Sequence, residues 1–353
     1  MLFGRTTVSK FVIEQLRDLP GQSDLGSLLI DVTAAVKAIA AALSKGALAG
    51  RDAPGAPGET RRRLHALTNQ AILRHCEWGG QLAGMASEEL EAPYPIPSAY
   101  PRGRYLLAFD PLDGSAHVDV NASVGTLFSV FAKADSAPAG VADFLRPGRE
   151  QVAAGYAFYG PSSLLVLTLG KGTHGFTLDR EGGNFILTHP HMLVPEEASE
   201  FAINTSNERF WEPPVRRYVT ECTAGKAGVR GRDFNMRWIA STVAEVHRIL
   251  VRGGIFMYPR DSKDLANPSR LRLLYEAGPI AMLVEQAGGA ASTGRERILD
   301  VVPTSLQQRV PVLLGSRNEV ERLARYHADY DNGTDQHFRS PLFQKRSLFR
   351  SKS

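Results

Sequence analysis

The sequence predicts a layered α/β (α+β) protein in two parts. The first part is expected around an antiparallel or mixed sheet, the second around a mostly parallel one. Two changes of pattern predict it. Amphipathic helical segments give way near residue 82 to short apolar strands joined by glycine turns, and from about residue 195 strands and helices alternate. A chain of 353 residues, 43% hydrophobic and 22% charged, has material for two cores. The parts are expected at residues 1–192 and 193–330, with a flexible tail over 331–353.

Residues 6–18 and 23–45 read as the first helices. In the second, Ser23 is a candidate N-cap, and Leu25, Leu28, Leu29, Val32, Val36, Ile39 and Leu43 keep helical spacing before Gly46 and Gly50. Arg51 to Gly58 is a Pro/Gly-rich loop expected to be mobile, and a third helix spans about 59–76. Strands are expected at 82–86, 104–109, 124–132, 152–159, 163–169, 174–178 and 184–188, turning at Gly170-Lys171-Gly172 and Gly182-Gly183. Beyond them come strands near 200–204, 254–258 and 311–315, and helices near 213–223, 236–252, 270–287 and 317–328.

Composition narrows the function. A net charge of +4, partly from Lys345, Arg346, Arg350 and Lys352, gives no concentrated basic face, so no nucleic-acid partner is expected. Small phosphorylated substrates suit that balance better. No membrane partner is expected, because no run approaches the 18 or so apolar residues of a span. Cys76 and Cys222 allow one disulfide at most, and Met1-Leu2-Phe3-Gly4-Arg5 lacks the layout of a signal peptide. The cytoplasm is the expected compartment.

The most informative stretch is Asp110-Pro-Leu-Asp-Gly-Ser-Ala-His-Val-Asp119, directly after the apolar run Tyr105–Phe109. A buried strand ends on one carboxylate, and a second follows three residues later. Pro111 fixes its own φ and biases Asp110 towards an extended backbone, so Asp110 and Asp113 can converge on one cation. Gly114 permits close approach to a ligand, and the next amides can point at an anion. Oxygen ligands beside free amides suit a hard divalent cation carrying a phosphate.

Upstream, Ser87-Glu88-Glu89 delivers two more acids from a short apolar segment, and ligands in α/β sheets collect at strand ends. Glu88, Asp110 and Asp113 are therefore candidates to hold one or two Mg²⁺ ions, leaving Glu89 to orient or deprotonate a water. Asp119 is read as a structural brace. Arg272 and Glu276 are i,i+4 neighbours on an expected helix, which reads equally as a surface ion pair. Asn204, Arg237, Tyr258, Arg260, Arg270 and Arg272 are phosphate-binding candidates, since an arginine fork donates two parallel hydrogen bonds. His117 is a candidate ligand contact. No zinc spacing, nucleophile elbow, P-loop or dinucleotide fingerprint is present.

These residues resemble the metal site of the Mg²⁺-dependent, Li⁺-sensitive sugar and inositol phosphatases. The longer match is to class 1 fructose-1,6-bisphosphatases. Val124–Ser129, Val243–Arg248, Gly253–Pro259, Leu271–Glu276 and Gln308–Ser316 resemble that family's blocks in order, over roughly residues 8–328. The resemblance implies a two-part α-β-α-β-α sandwich of the sugar phosphatase type, acting in gluconeogenesis or the Calvin cycle. It implies Mg²⁺ (or Mn²⁺) on Glu88, Asp110, Asp113, Glu276 and the Leu112 carbonyl, with Glu89 polarising the attacking water. Asp113 and the amides of Gly114 and Ser115 would hold the 1-phosphate. Asn204, Tyr258 and Arg270 would surround the sugar and 6-phosphate, with Arg237 reaching in from a neighbouring subunit of a homo-oligomer, a homotetramer.

Some residues depart from the family pattern. Ala116 and His117 replace its Ser and Asn, and His65 stands for an acid that helps activate the water. Trp238 replaces a tyrosine and Arg270 a lysine, whereas Glu59 matches an acid of the mobile loop. Ser23-Asp24-Leu25-Gly26 lacks the pattern of AMP-inhibited members. The expectation is hydrolysis of the 1-phosphate of fructose 1,6-bisphosphate. Sedoheptulose 1,7-bisphosphate, or dual use, is the neighbouring reading. A weakly active sugar-phosphate-binding regulatory protein is the reading of a different class.

Overall fold

In the computed structural model, residues 5–17, 23–46, 59–264, 267 and 269–335 are described, Glu59 and Thr60 in their backbone alone. The expected loop at 51–58 and residues 336–353 of the expected tail lie outside them. Three helices come first: α1 (Val8–Leu16), α2 (Ser23–Leu43) and α3 (Glu59–Cys76). The Thr7 side chain caps α1 by accepting from the Lys10 amide. In an 18-residue window α2 reaches a mean hydropathy of 1.7, so by length and composition alone it passes as long and apolar enough to cross a membrane. Its apolarity has a structural reason: Leu25, Leu28, Val32, Val36 and Ile39 are buried in the core beneath it.

Eight strands form the first sheet: β1 (Leu82–Ser87), β2 (Tyr94–Pro95), β3 (Tyr105–Asp113), β4 (Val124–Ala132), β5 (Gln151–Tyr159), β6 (Ser163–Thr168), β7 (Thr173–Asp179) and β8 (Asn184–Met192). Their order is β2-β1-β3-β4-β5-β6-β7-β8, and only β1 and β3 pair in parallel. A short helix α4 (Val141–Phe144) follows β4. Both faces of this sheet are covered. Along β5, Ala153 and Ala157 face the core under the N-terminal helices, while Ala154 and Tyr156 face the other side.

The second half adds β9 (Glu200–Ala202), α5 (Pro213–Thr223), β10 (Asn235–Met236), α6 (Thr242–Arg252) and β11 (Ile255–Tyr258). Then come β12 (Leu271–Arg272), α7 (Gly278–Gln286), β13 (Ala290–Ser292), β14 (Arg309–Val310), β15 (Val312–Gly315) and α8 (Arg317–Asp331). The second sheet has the order β10-β9-β11-β15-β13. Helices α6 and α7 share one core with both sheets, and α5 and α8 pack on the far face of the second. The result is the five-layer α-β-α-β-α sandwich that the family resemblance implies.

Several expectations need correction. The second sheet is mixed: β9 pairs in parallel with β10 and β11, but β15 is antiparallel to β11 and β13. The chain leaves at Tyr258 and re-enters at Val312 opposite it, so β15 must run back against β11. The helix expected over 236–252 begins only at Thr242. The helix expected over 270–287 is a strand, a wide turn over Leu273–Ala277, and then α7 with Pro279 in its first turn, where a missing N–H costs nothing. Helix α8 runs on to Asp331, into the expected tail. Strands β2, β12, β13 and β14 are too short to leave a periodic signal.

Candidate active site

Strand β3 is buried from Tyr105 to Asp113, so its charged end enters the protein with the apolar run that carries it. Asp110 pairs with Leu127 but Asp113 with Gly125, so three steps on β3 oppose two on β4. That extra residue is a bulge at Pro111-Leu112. Carboxylates three apart on a regular strand point to opposite faces; the bulge restores an effective spacing of two and turns both to one side. Asp110 Oδ1 accepts from the Leu112 amide at 2.9 Å, which fixes the kink.

Glu276 completes the group from the wide turn before α7. Ligand oxygens of Asp110, Asp113 and Glu276 all lie within 4.8 Å of one another, and all three residues are buried. Asp113 Oδ2 accepts from the Val243 amide at 3.0 Å, at the start of α6. Glu276 Oε2 accepts from the Arg272 amide at 2.7 Å. Burial, reinforced by the neighbouring carboxylate of Glu88, pushes the Asp110 and Glu276 carboxyls well above the usual range. Burial raises Asp113 to about 6, opposed by the Val243 hydrogen bond.

Glu88 follows β1 and interacts directly with Asp110. Its other partner is the Arg272 guanidinium, whose Nε also donates to Gln307 Oε1 at 2.6 Å. The i,i+4 surface pair read for Arg272 and Glu276 is therefore not what forms. The backbone of Arg272 holds Glu276, and its side chain holds Glu88. One guanidinium cannot offset four clustered carboxyls, so burial resists ionising them without a cation, and an all-oxygen donor set of this kind suits a hard divalent one.

Glu89 takes a different partner. His65 on α3 places Nδ1 2.7 Å from Glu89 Oε1, and this hydrogen bond holds the Glu89 carboxyl below the usual range against a smaller opposing effect of burial. The Glu59 side chain lies outside the described residues.

After Asp113 the chain turns at Gly114, whose φ of +73° is the left-handed conformation that glycine adopts without strain. A Cβ here would sit 3.2 Å from Ser241 Oγ. Buried Ser115 opens the helical turn Ser115–His117, whose leading amides have no partner within the turn itself. His117 Nε2 lies 2.7 Å from the Ala240 carbonyl, so its ring ties the turn to the loop before α6. Asp119 is exposed.

Of the phosphate-binding candidates, Asn204 and Tyr258 line one pocket together with Trp211 and Trp238. Trp238 stacks on Phe256 at 14° and lies 6.1 Å from the Tyr258 ring. Tyr258 is close enough to both Arg270 and Glu276 to feel their charges, which places this pocket beside the acidic cluster. Asn204 Oδ1 is occupied, accepting from the Ser206 amide and hydroxyl at 3.2 and 2.6 Å, so its amide nitrogen is the group left for a ligand. Arg237 does not line this pocket; it is 51% exposed and paired with Glu200 at 3.4 Å. Arg260 is exposed. The partners Gln307 and Ser241 carried no signal in the sequence, and Val243 was visible only as the start of a family-like block. Val243 acts through its backbone, which no residue type announces.

Comparison with known proteins decides the family. Residues 6–190 match the family model "Fructose-1-6-bisphosphatase, N-terminal domain", and residues 194–328 match "Fructose-1-6-bisphosphatase, C-terminal domain". The chain belongs to the class 1 fructose-1,6-bisphosphatase family. It is accordingly a hydrolase of the phosphatase kind. A protein from Methylacidiphilum infernorum (isolate V4) named "Fructose-1,6-bisphosphatase class 1" is 59% identical over 355 residues, covering 99% of this chain and all of that one. Two crystal structures of Leishmania major fructose-1,6-bisphosphatase, in holo and apo form, superpose with TM-scores of 0.83 and 0.81. Each is 35% identical and covers 92% of this chain and 99% of its own.

Proposed function

We propose that this chain hydrolyses the 1-phosphate of D-fructose 1,6-bisphosphate to give fructose 6-phosphate and inorganic phosphate. The observation that carries the reading is the convergence of Asp110, Asp113 and Glu276 beside the Gly114-Ser115 turn. These carboxylates, with Glu88 and the Leu112 carbonyl, would hold Mg²⁺, with Mn²⁺ as the alternative ion. When bound, such an ion neutralises charge on the transferring phosphoryl group. The protein's own groups do the rest. Amides of Gly114 and Ser115 orient the 1-phosphate. Glu89 accepts a proton from the attacking water while His65 fixes which way that carboxylate faces. Asn204, Tyr258 and Arg270 hold the sugar and the far phosphate, and Arg237 serves the neighbouring subunit of a homotetramer. A cytoplasmic place in gluconeogenesis or the Calvin cycle fits this activity.

The hydrogen bond between His65 and Glu89 favours an active enzyme over a sugar-phosphate-binding regulator, because the residue standing for the family acid still engages the base. The test is Mg²⁺-dependent phosphate release from fructose 1,6-bisphosphate, sedoheptulose 1,7-bisphosphate and inositol 1-phosphate. The highest kcat/KM is expected on the fructose compound. Preference for either of the others would overturn the substrate assignment.

A further inference from the structure

Beside the site runs a chain of charge that the catalytic reading does not use. Glu245 on α6 is fully buried; its Oε1 accepts from the Ile239 amide at 2.5 Å, and its Oε2 is 3.1 Å from Arg248 Nη2. The same guanidinium reaches Glu200 Oε2 at 2.7 Å through Nη1. Glu200 in turn lies 3.4 Å from Arg237 Nε. The network thus begins on the loop between β10 and α6, crosses to β9, and returns to that loop. Gly254 makes room for it, since a Cβ there would stand 3.1 Å from Arg248 Nη1. The backbone adds a second tie, with the Arg237 amide donating to Phe201 O at 2.8 Å.

Two carboxylates sharing one nearly buried guanidinium form a stiff support, because each charge depends on the other for its solvation. An exposed arginine ordinarily samples many rotamers, and ordering it on binding costs affinity. We infer that Glu200, braced by Arg248 and Glu245, positions Arg237 and thereby sets affinity for the far phosphate of the substrate. This rests on the reading of Arg237 as a ligand of that phosphate. Glu200 is a positioning residue, acting through Arg237 on a group it does not itself touch.

The experiment compares Glu200→Gln, Glu200→Asp, Arg237→Met and the Glu200→Gln/Arg237→Met double variant in the intact enzyme. Glu200→Gln is expected to raise both the KM for fructose 1,6-bisphosphate and the inhibition constant of fructose 6-phosphate by about tenfold, the scale of one charge-assisted hydrogen bond. kcat and inhibition by inorganic phosphate should stay unchanged. Glu200→Asp should recover part of the loss, and Glu200→Gln should add nothing once Arg237 is Met. A merely structural Glu200 would lower the folded fraction and leave KM alone. An unchanged or lowered KM in Glu200→Gln, or a rise that persists beside Arg237→Met, overturns the inference. Should Arg237→Met itself leave KM unchanged, the ligand role of Arg237 fails instead, and the two failures are told apart.

Discussion

Acid should lower the stability of the fold, and one histidine on the helix that caps Asp113 contributes a definite share. His247 lies on α6, the helix whose Val243 amide holds Asp113. Its ring stacks on Phe158 at 5.3 Å, and its Nδ1 pairs with the Tyr156 hydroxyl at 2.8 Å. Burial between β5 and α6, with His189 adding a smaller repulsion, lowers its pKa to about 4. The unfolded chain binds this proton with a pKa near 6.5. Between those values the unfolded state holds more protons, so stability is full above about 6.5 and falls as pH drops towards 4. At pH 5 the linkage amounts to about 2 kcal/mol relative to pH 8. For 353 residues the unfolding entropy converts this into a fall in Tm of about 3 °C. His247→Gln keeps an acceptor for Tyr156 and cannot take the proton. Thermal unfolding of both proteins at pH 8 and pH 5, at one protein concentration, should show the Tm loss smaller in the variant by that amount. Equal losses would refute the assignment of this pH dependence to His247.

Gly114→Ala places a side chain at φ +73°, costing about 1–2 kcal/mol, and pushes Ser241 away from the turn; kcat/KM should drop at least ~tenfold, read by steady-state kinetics. Glu89→Gln removes the proton acceptor, so kcat should fall by about 10²–10⁴ with KM little changed, and pre-steady-state phosphate release will show whether chemistry is the step that slows. Without divalent metal, Asp110→Asn should melt no lower than wild type, because it relieves one buried, like-charged carboxylate; adding Mg²⁺ should raise the wild-type Tm and leave the variant's unchanged.

Much of the site was legible because its chemistry is local. Asp110-Pro-Leu-Asp-Gly-Ser announces itself through residue types whose constraints act within a few positions: proline's φ, glycine's left-handed turn, acids at a strand end. The outer helices were legible for a similar reason, since α2 buries a stripe at helical spacing. What escaped depends on three dimensions. The bulge that aligns the two aspartates follows from pairing with β4, and Arg272 turning to Glu88 rather than Glu276 depends on a partner 184 residues away. The mixed second sheet follows from where Val312 re-enters, and no local pattern encodes that.

The central claim is that the buried carboxylates act as one metal-dependent hydrolytic centre. It is tested most directly by phosphate release from fructose 1,6-bisphosphate, titrated with Mg²⁺, in wild type and Asp110→Asn. The arrangement predicts release that rises from near zero with added Mg²⁺ in wild type and is lost in a variant that remains folded. Metal-independent turnover, or activity retained in Asp110→Asn, would contradict it.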